Sequence, residues 1–193
     1  MKRLSLYFFL IFFTLQTPSQ ADDIRDFQIE GMSIGDSLLN YYSESQIKKG
    51  KKNYFKDNEF SVFEIELSDS KIYDGFQALY KAKDNRYIIY SMLGVVDCRN
   101  DFTVCKKKWK KIVPELIEFF KNDTNISDVE NYNHQADKSG KSKVTQINFI
   151  FNSGDKASVQ MTDWSKKTGY WDSLRISLQT KEALEWLNTK AHK

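Results

Sequence analysis

"RYIIYSMLGVVDC", Arg86–Cys98, decides the fold. It follows the turn-prone "KDN" and is nearly continuous in apolar residues, whereas a strand with one wet face would alternate. It therefore reads as a central strand covered on both faces. Upstream, "FSVFEIEL" alternates Phe63, Ile65 and Leu67, and "KIYDGFQALYKA" carries a further strand signal. The three strands form an antiparallel meander.

Helix signals precede that meander. Ser33 with Asp36 resembles a capping box, and Ile34, Leu38, Leu39 and Tyr42 recur on one helical face, which predicts a helix over about 34–42. "SESQ", Ser43–Gln46, is a second capping box, and Gly50 offers a left-handed stop to a short helix. Lys48, Lys49, Lys51 and Lys52 then read as a solvated connection.

Beyond Cys98, Asp101 is a good N-cap, and Cys105, Trp109, Ile112, Leu116 and Phe119 have the spacing of an amphipathic helix. Pro114 lies inside it and predicts a kink, or a split after Val113, because proline removes a backbone donor. The polar stretch 122–143 is long for an ordinary connection and reads as a mobile boundary. Strand patterns return in "VTQINFIFN", "KASVQMTDW" after a Ser153-Gly154 turn, and "DSLRISLQ". Thr180 caps a last helix with Ala183, Leu184 and Leu187 on one face.

The expectation is an α+β domain over 22–193: an antiparallel sheet of two three-stranded meanders, each preceded by helix, with a C-terminal helix. It allows two halves, 22–121 and 144–193, joined by the polar loop 122–143.

The first residues address the chain. Lys2 and Arg3 precede the apolar run Leu4–Leu15, and Ser19 and Ala21 stand where a signal peptidase reads, so cleavage is expected after Ala21. The run is too short to span a bilayer, and no Cys at the cleavage point supports a lipid anchor. The expected destination is the periplasm or the medium, with the chain soluble once the signal is removed. Removal takes two of the 29 basic residues and none of the 26 acidic ones. The remaining chain is near neutral, so no specific affinity for nucleic acid follows. In an exported chain the two cysteines, Cys98 and Cys105, read as a disulfide.

Chemistry is sparse. "IGDSLL", Ile34–Leu39, contains the Gly-Asp-Ser-Leu block of serine esterases of the GDSL (SGNH hydrolase) type, with Ser37 as the would-be nucleophile. A hydroxyl needs an oriented imidazole to attack. That family places Asp three residues before its His, and here His134 follows Asn131 and His192 follows Thr189 at that spacing. Its Gly-x-Asn-Asp block is missing too. The letters therefore read as the start of a helix. Two His and two Cys offer no zinc set, the acidic residues lack EF-hand spacing, and no glycine loop cradles phosphate. No catalytic, cofactor or metal residue is assigned.

Two surfaces remain. Lys106, Lys107, Lys108, Lys110 and Lys111 surround Trp109; the plain reading is a solvated helix face, and the sharper one a salt-sensitive contact with an anionic surface. Trp164, Tyr170 and Trp171 flank "SKKTG" and either close the end of a sheet or present a partner patch.

"FQIEGMSIGDSLLNYYS", the Cys-x6-Cys leading into a lysine-rich helix, "DKSGKS" and "DWS" together resemble a group of small exported bacterial proteins of unassigned activity. The resemblance implies an envelope or secreted location and nothing catalytic. "GMSIGDSLL" is similar to the Gly-Met-Ser/Thr helix start of the SmpA/OmlA outer-membrane assembly lipoproteins, whose helices precede a three-stranded antiparallel sheet. This chain lacks their lipidated Cys and is longer, so the assembly role does not carry over. The expectation is an exported, non-enzymatic protein that binds an unknown protein or envelope component. A serine hydrolase using Ser37 and an inhibitor-type partner-binding module are the alternatives.

Overall fold

A computed structural model describes residues 23–193; the expected signal and its cleavage point lie outside them. A short helix, α1 (Glu44–Lys49), is followed by strands β1 (Lys51–Lys52), β2 (Phe60–Glu66), β3 (Gly75–Lys81) and β4 (Ser91–Asp97). Then come α2 (Phe102–Phe120), β5 (Thr124–Ile126), β6 (Glu130–Asn133), β7 (Lys143–Phe151), β8 (Lys156–Asp163), β9 (Ser173–Gln179) and α3 (Lys181–Thr189). The strands form one sheet in the order β1-β2-β3-β4-β9-β8-β7-β5, with β6 also on β7, and every pairing is antiparallel. The chain is α+β, as expected. The sheet has nine strands where six were expected.

The continuous apolar strand is central. β4 pairs β3 on one side and β9 on the other, with Gly94 between Phe76 and Ile176. One sheet face packs under α2 and the N-terminal segment, where Phe63, Phe76, Phe149, Leu174, Phe120 and Ile24 are among the buried residues. Part of the other face is covered by α3, whose Ala183 and Trp186 pack on Phe60, Val62 and Leu79. The rest of that face is mostly polar, with Leu93 and Val95 among its apolar residues.

Several expectations need correction. No helix spans 34–42: Ile34 and Leu38 are buried, but only Leu38–Asn40 form a single 3₁₀ turn, capped by Ser37 and not Ser33. The competing interaction is tertiary, since Gly35 N donates to Ile89 O and Leu38 N to Tyr87 O. Gly50 ends α1 at φ −80° and needs no left-handed backbone. Its lack of a side chain serves packing instead, for a Cβ there would lie 2.6 Å from the Phe63 ring. The connection after α1 includes a two-residue edge strand.

α2 runs through Pro114 without splitting. Pro114 is exposed, while Val113 and Leu116 hold the helix to the core on either side. The stretch 122–143 is not a free loop between halves. β5 and β6 both hydrogen-bond to β7, which places this polar segment at the sheet edge, where one face and one backbone side remain wet. Asp137 closes the turn that follows, accepting bonds from the backbone and hydroxyls of Ser139 and Ser142, and these bonds hold its carboxyl well below the usual range.

Cys98 and Cys105 form a disulfide with Cα atoms 5.9 Å apart, tying the end of β4 to the first turn of α2. Both residues are buried. Asp101 caps the helix within the closed loop through Thr103 N at 2.9 Å. In the chain-entropy model so short a loop stabilises by about 2.5 kcal/mol. Replacing both cysteines with Ser should lower stability by about that amount in urea unfolding. A loss under about 0.5 kcal/mol would show that the cap and core already fix the helix exit.

Candidate functional site

Ser37, the would-be nucleophile, is occupied. Its Oγ donates to Arg86 O at 2.5 Å and accepts from Leu39 N at 3.1 Å. Its backbone forms an isolated bridge with Ile88. Neither histidine faces it: the His134 ring lies 4.2 Å from that of Trp164, and the His192 ring 5.3 Å from that of Phe55. Asp36, beside Ser37, accepts from Ser33 N and the Tyr41 hydroxyl.

The lysine cluster lies on α2. Trp109 is half-buried against the core. Lys108 Nζ donates to Ile72 O at 3.0 Å and Lys106 Nζ sits 5.1 Å from the centre of the Phe102 ring, so these two are engaged. Lys107, Lys110 and Lys111 are exposed.

The three aromatic residues divide. Trp164 is buried between His134 and Tyr170, so it closes the end of the sheet and is not part of an exposed patch. Tyr170 and Trp171 are 60% and 53% exposed. The Arg99 guanidinium lies over Trp171, 4.3 Å from the ring centre.

The strongest site is one that sequence reading missed. A cleft of about 370 Å³ lies on the second face of the sheet, between α3 and the strands. Because side chains on a strand alternate, alternate residues of β3, β4, β9 and β8 point into it, joined by Gln146 of β7. The register aligns them in rows: Gln77, Leu93, Ser177 and Ser158 in one, Gln146, Gln160 and Arg175 in the next, Ser91, Gln179 and Lys156 in a third. Leu184, Leu187 and Asn188 of α3 line it together with Tyr54 and Phe55, the latter packed on Trp186 of the same helix. The volume falls in the usual range for a small-molecule pocket.

Two cations belong to this cleft. Arg175 Nε is sealed from solvent without a hydrogen bond. Among the described residues no carboxylate forms an ion pair with the guanidinium. Burial pulls Arg175 below its ordinary pKa, opposed by the charge of Glu64, and a guanidinium remains charged at neutral pH regardless. Lys156 is pulled down in the same way by burial, opposed by Glu130.

Other cleft groups are already bonded to one another or to neighbours outside the lining. Glu64 accepts from Tyr54 Oη at 2.7 Å and Gln77 Nε2 at 2.5 Å. Burial together with that bond pushes the Tyr54 phenol up to about 12. Gln146 accepts from Tyr132 Oη and donates to Asn148, Gln160 Nε2 donates to Thr162, and the Ser158 and Ser177 hydroxyls share one bond. The arrangement is a polar floor with an unpaired cation set into it. It holds no nucleophile beside an imidazole, and among the described residues no cluster of His, Cys, Asp or Glu could hold a metal ion.

No family model matches the chain. No curated protein matches it either. Among solved structures, the solution structure of cyanobacterial PsbP (CyanoP) from Synechocystis is 10% identical, covering 73% of this chain and 85% of that one at a TM-score of 0.35. A mutant of protein Mog1 is 12% identical, covering 74% and 85% at a TM-score of 0.26. Among the described residues no helix is long and apolar enough to cross a membrane.

Proposed function

We propose that this chain is an exported binding protein of the cell envelope or the medium, without a catalytic centre of its own, and that its ligand sits in the cleft above β4, β9 and β8. One observation carries the reading: Arg175 lines the cleft with its Nε sealed and unbonded, and among the described residues no carboxylate forms an ion pair with it. A buried charge without a partner costs several kcal/mol, so a fold retains one where something outside the fold completes it. The amino-terminal basic and apolar run supports export. The disulfide suits an oxidising compartment.

The test is a backbone-amide NMR spectrum recorded with and without the low-molecular-mass fraction of an envelope extract. Shifts on β4, β8 and β9 residues facing the cleft are expected. An unchanged cleft would reject the reading.

The exposure of Tyr170 and Trp171 favours a second reading, a partner-binding module using that loop. Shifts confined to 169–172 in the presence of envelope proteins would favour it over the cleft.

The hydrolase alternative has its own check. Ser37→Ala removes a cap and the hydroxyl bond to Arg86 O, and should cost about 1 kcal/mol of stability. Turnover of p-nitrophenyl acetate should be the same for both proteins; activity lost on substitution would restore Ser37 as a nucleophile.

A further inference from the structure

We infer that the cleft takes a small hydroxylated monocarboxylate of the sugar-acid class, with its carboxylate on Arg175 and its hydroxyl-bearing body across the sheet floor. The inference rests on the binding reading above and names the ligand class.

Three features of the cleft lead to it. First, a guanidinium presents planar paired donors that match a carboxylate in two parallel bonds, and such charge-assisted pairs are the strong ones in a site shielded from water. Arg175 lines the cleft with its Nε unbonded, and among the described residues no carboxylate forms an ion pair with it, so the guanidinium is not already committed to an acid of the fold.

Second, the neighbouring groups suit hydroxyls, which donate and accept alike. Gln77 and Gln160 use their amide nitrogens on Glu64 and Thr162, which leaves their amide oxygens facing as acceptors. Lys156 and Gln179, opposite each other in the register, supply donors. A purely apolar anion would leave these groups dry and unpaired.

Third, the charge balance favours a single negative charge. Glu64 acts electrostatically on Arg175, and Glu130 on Lys156. Each cation is thus partly balanced already, which suits a ligand of one negative charge that engages Arg175 and turns neutral hydroxyls toward the rest. Leu93, Leu184 and Leu187 cap the length of the body and provide a flat apolar contact for a ring.

Isothermal titration of the full exported chain with D-glucuronate, D-galacturonate and D-gluconate tests this, alongside D-glucose and inorganic phosphate. At least one sugar acid should bind with a Kd of 1 mM or tighter, on the order of tenfold or more better than glucose or phosphate. Arg175→Met should weaken that binding tenfold or more while leaving the melting temperature unchanged or raised, since a methionine of similar length relieves the unpaired charge.

Several results would overturn the assignment: no binding of any of the three acids, glucose or phosphate binding as well as they do, or Arg175→Met lowering the melting temperature while affinity persists. If the acids fail while the envelope extract still shifts cleft resonances, the binding reading survives and the ligand class falls.

Discussion

Phe120→Ala is expected to lower the free energy of unfolding by about 4 kcal/mol, because truncating a fully buried phenylalanine loses both transfer energy and the packing around the space left. Phe120 is 0% exposed, and its ring centre lies 5.7 Å from that of Phe27, 4.9 Å from Phe119, and 5.3 Å from both Phe149 and Phe151. These rings come from the N-terminal segment, the end of α2 and β7, so none of those elements can close the space without moving another. Thr124 Oγ1 also donates to Phe120 O at 2.9 Å, which couples the end of α2 to the start of β5. Urea denaturation with an unchanged slope is the measurement. Phe120→Leu, which keeps most of the volume, should cost about 1.5 kcal/mol or less. Equal losses for the two variants would mean that the cluster tolerates a void and does not anchor the helix.

Gly94→Ala is expected to cost about 3 kcal/mol, unusually much for adding one methyl group to a strand. A Cβ there would stand 2.5 Å from Tyr73 Cε1, and Tyr73 itself is buried. The backbone cannot retreat, since β4 is bonded on both sides with Phe76 and Ile176 opposite Gly94. Glycine therefore occupies the middle of the sheet because an aromatic ring covers it, although glycine in a strand is ordinarily a loss. The melting temperature should fall by about 6–12 °C. A double-mutant cycle with Tyr73→Ala checks the cause: the penalty at Gly94 should largely disappear once the ring is gone. A penalty that persists would locate the strain in the backbone.

How much of this was legible in the residues can be argued element by element. Ser43 with Gln46, Asp101 and Thr180 cap their helices as read, because capping depends on one side chain and amides within a turn of it. The Cys98–Cys105 bridge was legible from an even cysteine count beside a signal-like amino-terminal run. The 34–42 helix misled because its apolar spacing reflects burial of Ile34 and Leu38 under β4's lead-in, where long-range backbone bonds from Gly35 and Leu38 outcompete a helix. The strand character of Thr124–Ile126 and Glu130–Asn133 was hidden by their polarity, for an edge strand takes its register from a neighbour and need bury little of its own.

The cleft was hidden more thoroughly. Its groups alternate singly along five strands far apart in sequence, and Gln160 and Arg175 are adjacent only because β8 pairs β9. Arg175 lies between Leu174 and Ile176, where the strand pattern makes it look like an ordinary solvent-facing charge. Only the cleft it shares with residues of α3 sets it apart.

The two margins of the sheet have one more consequence. At one margin β1 sets Lys51 and Lys52 against Phe63 and Val62 of β2; at the other, the pairing of β5 and β6 with β7 is interrupted between Ile126 and Glu130. A long flat margin would template the addition of another chain's backbone, whereas two adjacent ammonium groups and a break in the ladder deny an incoming strand a continuous run. These margins equip a sheet of this width to stay dispersed instead of growing into fibrils.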